Sequence, residues 1–367
     1  MRWLCTKNDL HALLCATSVF SVSLWFTIAW QKQTTEAQRT QRLHREDASG
    51  ERKVFSLLMT VTPIALFTYN RAEHTARVLK SLANCSRLDE CLLHIYCDAP
   101  KTTIHAGSVE ASRKVVREHA AKLGAHVVER NTNLGLARSV VDGVTDLCSR
   151  FGRVIVLEDD LVLHPGFLDY MLQALDAYAD AANVYQISGY MFPVSHAANP
   201  DAFFLPLITT WGWATWQRAW QVFDWDASDA RAELKLPATR KRFDLNNSYP
   251  YAAMLENQLN GSTDSWGILF WWQVFKRGGL ALHPRQSLVS NSGFDGTGTN
   301  CGDQGWSNAP GPEVITDWTT GRAFDFPKEI EVDREAFAKI CAFLKKEQYP
   351  ASLSGRIRRR LRLAFGA

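Results

Sequence analysis

Arg153-Val-Ile-Val-Leu-Glu158-Asp159-Asp160-Leu-Val-Leu-His-Pro165-Gly166-Phe167 decides how this chain is read. Val154 to Leu157 is a short apolar run rich in β-branched residues, the pattern of a strand buried on both faces. Three carboxylates follow at its C-terminal end, and Pro165-Gly166 turns the chain into an apolar helical pattern from Phe167 to Tyr178. Adjacent carboxylates repel one another, so a fold gathers them where a cation or a developing positive charge needs them. In an α/β sheet the carboxyl edge of the strands is also where ligands bind.

Working outward, the same alternation repeats. Pro63–Phe67 reads as a strand, 71–82 as a helix with Val78, Leu79 and Leu82 on one side, and Leu92–Cys97 as a strand ending at Asp98. Helices follow over 109–123 and 136–148, with a strand at His126–Glu129 between them. This order predicts an α/β fold with a mostly parallel central sheet flanked by helices. Beyond Tyr185 the rhythm breaks. Val184–Ser188, Leu280–His283 and Ser287–Val289 read as strands, 209–229 as irregular and aromatic, and 256–277 as helical with a break at Gly261.

The composition is that of an ordinary folded protein, 46% hydrophobic and 22% charged. A net charge of +3 over 367 residues gives no reason to expect a nucleic-acid partner. The eight cysteines form no CxxC pair, which argues against a zinc ribbon or a dithiol motif. Leu10–Trp30 carries no charged residue and is long enough to cross a bilayer. The organisation expected is therefore a transmembrane anchor within 1–31, a linker over 32–60, a folded domain over 61–300 and a C-terminal extension over 301–367. The extension ends in a basic amphipathic run (Arg356, Arg358, Arg359, Arg360 and Arg362) suited to an anionic lipid surface.

Several residues carry candidate chemistry. Thr68-Tyr69-Asn70-Arg71 leads from the first strand into a helix, where backbone donors favour an anion. Tyr69 could stack on a base or ribose, and Arg71 could meet a phosphate or a carboxylate. Asp98 could accept hydrogen bonds from a nucleobase or ribose, or close an Asx turn. Arg138, after Asn131-Thr-Asn133-Leu-Gly135, could reach the acidic cluster or a diphosphate, or lie on the surface. In an extended segment Glu158 and Asp160 would face together with Asp159 turned away. Such oxygen ligands suit Mg²⁺ or Mn²⁺. Thr210-Trp211-Gly212-Trp213-Ala-Thr-Trp216 offers rings for sugar stacking or for a core. Asp264, in Ser262-Thr-Asp264-Ser-Trp266, is a candidate general base if apolar neighbours raise its proton affinity, or a helix N-cap. Gly-rich 290–296 reads as a substrate loop. The first strand ends in TYNR without GxGxxG, which disfavours a dinucleotide dehydrogenase.

Taken in order, PIALFTYNR, NTNLGLAR, VIVLEDDLVLHPGFL, WGWATW and TDSW resemble the GT-A glycosyltransferases, family-2-like, and most closely the N-acetylglucosaminyltransferase I-like branch. The resemblance spans about 60–295 and implies a Rossmann-like GT-A fold with an acceptor-side extension, the catalytic domain over 61–300 dividing into a donor half at 61–190 and an acceptor half at 191–300. It implies transfer of a sugar, with inversion, from a nucleotide-diphosphate donor to a glycan or lipid-linked saccharide. Asp160 would be the ligand of Mn²⁺ or Mg²⁺. Asp264 would be the base, although Thr263 and Ser265 depart from the family's W-D-D-W pattern. Thr68, Tyr69, Asn70, Arg71, Asp98, Arg138, Glu158 and Asp159 would hold the donor, and Trp211, Gly212, Trp213 and Trp266 the acceptor. The alternatives are a nucleotide-sugar hydrolase and a non-catalytic carbohydrate-binding protein. The two ends point to a membrane. The short linker and basic tail suit a catalytic domain on the cytoplasmic side of a bacterial inner membrane, the alternative being a Golgi-type luminal orientation.

Overall fold

A computed structural model describes residues 61–195, 200–293 and 320–348. The sheet grows from β1 (Thr62–Thr68), in which every residue is buried. β1 lies between β2 (Cys91–Cys97) and β4 (Arg153–Glu158), parallel to both, and β3 (His126–Glu129) extends the sheet beyond β2. Between them run α1 (Ala72–Ala83), α2 (Ala106–Leu123) and α3 (Leu136–Phe151). Val78, Leu79 and Leu82 are buried on α1, as the 3.6-residue period requires. α3 packs on β1 and β4.

β5 (Leu161–Leu163) and α4 (Phe167–Ala177) follow the acidic triplet, and then β6 (Val184–Ser188) and β7 (Ala202–Leu205). β8 (Trp213–Trp216) inserts antiparallel between β4 and β6. Short helical turns at Gln217–Trp220, Ala230–Glu233 and Pro237–Phe243 lead to α5 (Tyr251–Leu259) and α6 (Trp266–Lys276). β9 (Leu280–Pro284) slots between β6 and β7, and β10 (Val289–Asn291) pairs antiparallel with β5. The resulting eight-stranded order is β3-β2-β1-β4-β8-β6-β9-β7, with β8 and β7 antiparallel to the rest. This is an α/β sheet flanked by helices, consistent with a Rossmann-like GT-A architecture carrying extra elements.

The segment from 320 onward packs on this body. α7 (Arg334–Gln348) buries Ala336, Ile340 and Leu344, and Val332 bridges to Phe204 of β7. Tyr178 Oη donates to the Pro327 carbonyl at 2.7 Å. Residues 320–348 are thus integral to the core, where the sequence divides them off as an extension. Residues 1–60, with the Leu10–Trp30 stretch, and the basic tail at 356–365 lie outside the described residues. No described helix is long and apolar enough to cross a membrane.

His94 of β2 is buried beside His126, with ring centroids 5.3 Å apart. Burial, then the neighbouring His126 and Arg150, hold its pKa below the ordinary 6.5. Below pH 6.5 the unfolded chain therefore takes up a proton that the folded chain refuses, and stability falls as the pH drops toward the lower folded value. Urea unfolding at pH 7 and pH 5 should show this loss, and His94→Gln should flatten the difference; an unchanged slope in the variant would exclude His94 as its source.

Candidate active site at the carboxyl edge of the sheet

Parallel register sets the site. Phe67 of β1 pairs with Glu158 of β4, and Thr68 with Cys97 of β2, so these strands end level. Asp98 N–H donates to the Thr68 carbonyl at 3.1 Å, which ties the two strand ends together. Thr68 itself is buried, while Tyr69 and Asn70 are half-buried on the loop.

β4 ends at Glu158, so the alternation of an extended chain stops there. Asp159 and Asp160 lie in the turn before β5, and both reach the same partner. Arg71 Nη2 donates to Asp159 Oδ1, and to Asp160 Oδ2 at 3.1 Å. The Tyr69 N–H approaches Asp159 Oδ2 at 3.4 Å. Asp159 and Asp160 therefore converge on Arg71, where strand alternation pairs Glu158 with Asp160. Burial alone would lower the Arg71 pKa, but Asp159 and Asp160 outweigh it and keep the guanidinium charged. Glu158 is pushed up to about 8 by burial first and then by Asp160 and Asp159.

A second chain segment closes over this cluster. Because β10 pairs with β5, Asn291 sits opposite Leu161. Ser292 then donates twice to the Asp160 carbonyl, through its N–H at 2.7 Å and its hydroxyl at 2.9 Å. His74 Nε2 lies 3.1 Å from the Ser292 carbonyl. A Cβ at Gly293 would stand 2.6 Å from Asp160 Oδ2 and 3.0 Å from Arg71 Nη1. Gly293→Ala should therefore push the Arg71–Asp160 pair apart. We expect donor KM to rise about tenfold, corresponding to roughly 1.4 kcal/mol, with a change in melting temperature of a few degrees at most. A donor KM equal to wild type would show that the loop yields instead.

The fit of a divalent cation can be tested on these atoms. Among the described residues, no group of three or more His, Cys, Asp and Glu side chains is arranged to hold a metal. Asp160 Oδ1, however, is buried and has no hydrogen-bond partner. One carboxylate oxygen suffices where substrate phosphates and water complete the shell, as is usual for Mg²⁺. The residues present fit a cation anchored by Asp160 alone.

Asp98 has a different occupation from the one its position suggests. Its carboxylate accepts from the N–H groups of Ala99 (2.9 Å), Leu134 (3.0 Å) and Gly135 (2.9 Å), and from Asn133 Nδ2 (3.0 Å). It organises the Asn133–Gly135 loop ahead of α3. Tyr69 Oη accepts from the Lys101 N–H at 3.0 Å.

Gly135 adopts φ +76°, a backbone conformation that glycine tolerates best, and a Cβ there would lie 3.6 Å from Asp264 Oδ2. The strand-edge loop and Asp264 are therefore neighbours across the start of α3. Asp264 is exposed, not enclosed by apolar rings, and the N-cap position of α6 belongs to Ser265. Arg138 leaves the acidic cluster to Arg71 and instead sits over the Trp225 ring, 5.8 Å from its centroid.

The aromatic set divides. Trp213 is 0% exposed and stacks on Trp266 at 5.1 Å, with Trp220 and Phe270 beside them. Gly212 packs its backbone against Val289 and Phe167. Trp213, Gly212 and Trp266 are core, which corrects their assignment to an acceptor surface: tryptophan is the largest apolar filler as well as a sugar platform. Trp211 stays half-buried, edge-on to Tyr190 at 4.5 Å. The residue that sequence reasoning did not single out is His74, which carries no local signal; Ser292 lies in the 290–296 run read as a substrate loop, and Trp225 closes the tryptophan-rich segment.

Residues 64–227 match the family model of Glycosyl transferase family 2. A search of curated proteins found no match. Among solved structures, the chain is similar to a mannosyltransferase, PcManGT from Pyrobaculum calidifontis, in complex with GDP-Man and Mn²⁺. Identity there is 15% and the TM-score 0.34, covering 59% of this chain and 74% of that one. It is similar to residues 1–349 of S. aureus TarS at 14% identity and TM-score 0.31, covering 42% and 47% of the two chains. For mouse xyloside xylosyltransferase 1 the values are 10% and 0.32, covering 59% and 82%. The chain spans only about 21% of the longer S. aureus TarS structure. The family match, on this fold, supports an enzyme of the glycosyltransferase type. It includes Arg71, Asp98, Arg138 and the acidic triplet and stops short of Asp264.

Proposed function

We propose that this protein is an inverting, metal-assisted glycosyltransferase that moves a sugar from a nucleotide-diphosphate donor to a hydroxyl of a glycan or lipid-linked saccharide. The observation that carries this reading is the unpaired, buried Asp160 Oδ1 at the level edge of β1, β2 and β4, beside a charged Arg71. A buried carboxylate oxygen without a protein partner is available to a water or a cation.

Thr68, Tyr69, Asn70 and Arg71 line the donor side, with Glu158 and Asp159 completing the pocket floor. Asp98 acts there by holding the Asn133–Gly135 loop. Mn²⁺ or Mg²⁺ on Asp160 would supply positive charge opposite the departing diphosphate. Asp264, exposed against Gly135, takes the proton of the acceptor hydroxyl. The freed oxygen pair attacks the anomeric carbon from the face opposite the diphosphate, and the bond to the diphosphate oxygen breaks with its electrons. The order of WGWATW and TDSW along the chain favours an N-acetylglucosaminyltransferase I-like enzyme. Trp211 is the remaining half-buried ring of that set. The uncharged Leu10–Trp30 stretch supports attachment to a membrane, with the catalytic domain on its cytoplasmic side.

The test is nucleotide diphosphate release by the full chain from a panel of nucleotide sugars, with Mn²⁺, Mg²⁺ or chelator, and with or without mixed glycan acceptors. Metal-dependent release accelerated by acceptor supports the transferase and names the donor. Release that acceptors never accelerate indicates a hydrolase. No turnover with any donor overturns the reading.

A further inference from the structure

Two routes lead from Asp264 to one exposed ring. A Cβ at Gly135 would lie 3.6 Å from the Asp264 carboxylate, and Arg138 stands three residues beyond Gly135 in the first turn of α3. Arg138 covers the Trp225 ring. Trp225 is held at 90° by Phe223, with centroids 5.1 Å apart. Phe223 stacks on Trp220 at 5.0 Å. Trp220 meets Trp266 at 6.1 Å, two residues from Asp264. Trp220 and Trp266 are core and Phe223 is half-buried, but Trp225 is 39% exposed and is the one exposed tryptophan among the described residues. Arg138 is exposed too, and no carboxylate pairs with it among the described residues.

We infer that Trp225 and Arg138 form the acceptor subsite beside Asp264, and that it takes an uncharged sugar residue. This rests on the transferase reading for the role of Asp264. An exposed indole fixed by an edge-on phenyl ring presents a rigid apolar plate to the C–H face of a pyranose. The Arg138 guanidinium supplies fixed hydrogen-bond donors to hydroxyl oxygens. The charge balance sets the class of sugar. Asp224 and Asp226 flank Trp225 and are both exposed, with Asp224 Oδ1 accepting the Asp226 N–H at 3.0 Å. Asp142 lies one turn beyond Arg138 on α3, and Asp264 completes the set. Carboxylates thus stand beside Trp225 in the chain, one turn from Arg138 on α3 and against Gly135, and their negative charge disfavours an acidic saccharide while they can accept hydrogen bonds from hydroxyls.

The experiment is saturation-transfer NMR on the full chain without donor, using neutral methyl glycosides (gluco, galacto, manno and N-acetylgluco) and methyl β-glucuronide. At least one neutral glycoside should bind, with the glucuronide about tenfold weaker or absent. Trp225→Ala should weaken neutral binding about tenfold, Trp225→Phe should restore most of it, and Arg138→Gln should weaken it several-fold. Melting curves establish that each variant is folded. No glycoside bound by wild type, binding unmoved by Trp225→Ala in a folded variant, or preference for the glucuronide would overturn the subsite as stated. Titration with UDP and GDP in Mn²⁺ separates the two sides: weakened nucleotide binding in Arg138→Gln would return Arg138 to the donor and overturn its acceptor role. The donor-turnover panel decides the transferase reading independently of these binding results.

Discussion

Asp160→Asn should reduce kcat/KM for sugar transfer by about 10³-fold, in line with loss of one preorganised electrostatic contact in a transition state. Asn keeps the volume and one carbonyl oxygen, so the turn before β5 survives. It removes the charge on the oxygen pair of which Oδ1 has no protein partner. Arg71 retains Asp159, so the pair is not dismantled. The expected signature is therefore a large loss of turnover with a small change in melting temperature. Apparent affinity for Mn²⁺, read by titrating the metal at saturating donor, should fall in parallel. A variant that melts many degrees lower with near-normal kcat would identify Asp160 as a structural partner of Arg71 only.

Asp264→Asn should lower acceptor-dependent transfer by about 10²- to 10⁴-fold, the range for removing a general base. Asp264 is exposed and accepts no capping hydrogen bond at α6, so unfolding free energy should change by about 0.5 kcal/mol or less. Donor binding supplies the contrast. If Asp264 acts only on the acceptor hydroxyl, donor Kd by equilibrium titration stays near wild type while transfer collapses. An Asp264→Asn enzyme that transfers within fivefold of wild type would remove Asp264 from the mechanism and leave proton transfer to solvent or to the acceptor itself.

How far these residues could be found without coordinates follows from local physics. The first four strands were legible because each is a short apolar run set between helices of strong period, and their loops mark the sheet edge. The acidic triplet was legible in position but not in orientation. β4 stops at Glu158, and a turn cannot be read with the period of a strand. β8 and β7 were hidden because every residue in each is buried, so no alternation distinguishes them from an aromatic loop. Trp213 and Trp266 misled for the same reason: ring chemistry is identical in a core and at a sugar face, and only neighbours decide. Arg71 was legible as a partner for carboxylates or phosphate. The Ser292 contacts to Asp160 join positions 132 residues apart and exist only through the pairing of β10 with β5.

The placement of β9 between β6 and β7 has a consequence for biosynthesis. A ribosome delivers β1 to β4 with their helices early, and that half can pair before the rest is made, β2 and β3 adding on one side of β1 and β4 crossing back to the other. β6 and β7 must wait for residues 280–284 before their edges are covered, and Phe204 gains its Val332 bridge later still. During that interval, unpaired strand edges and the faces destined for Ala336, Ile340 and Leu344 are open to chaperones and to other nascent chains. A fragment cut at residue 227 would lack β9 and α7 and leave the β7 edge and the faces they cover open to aggregation.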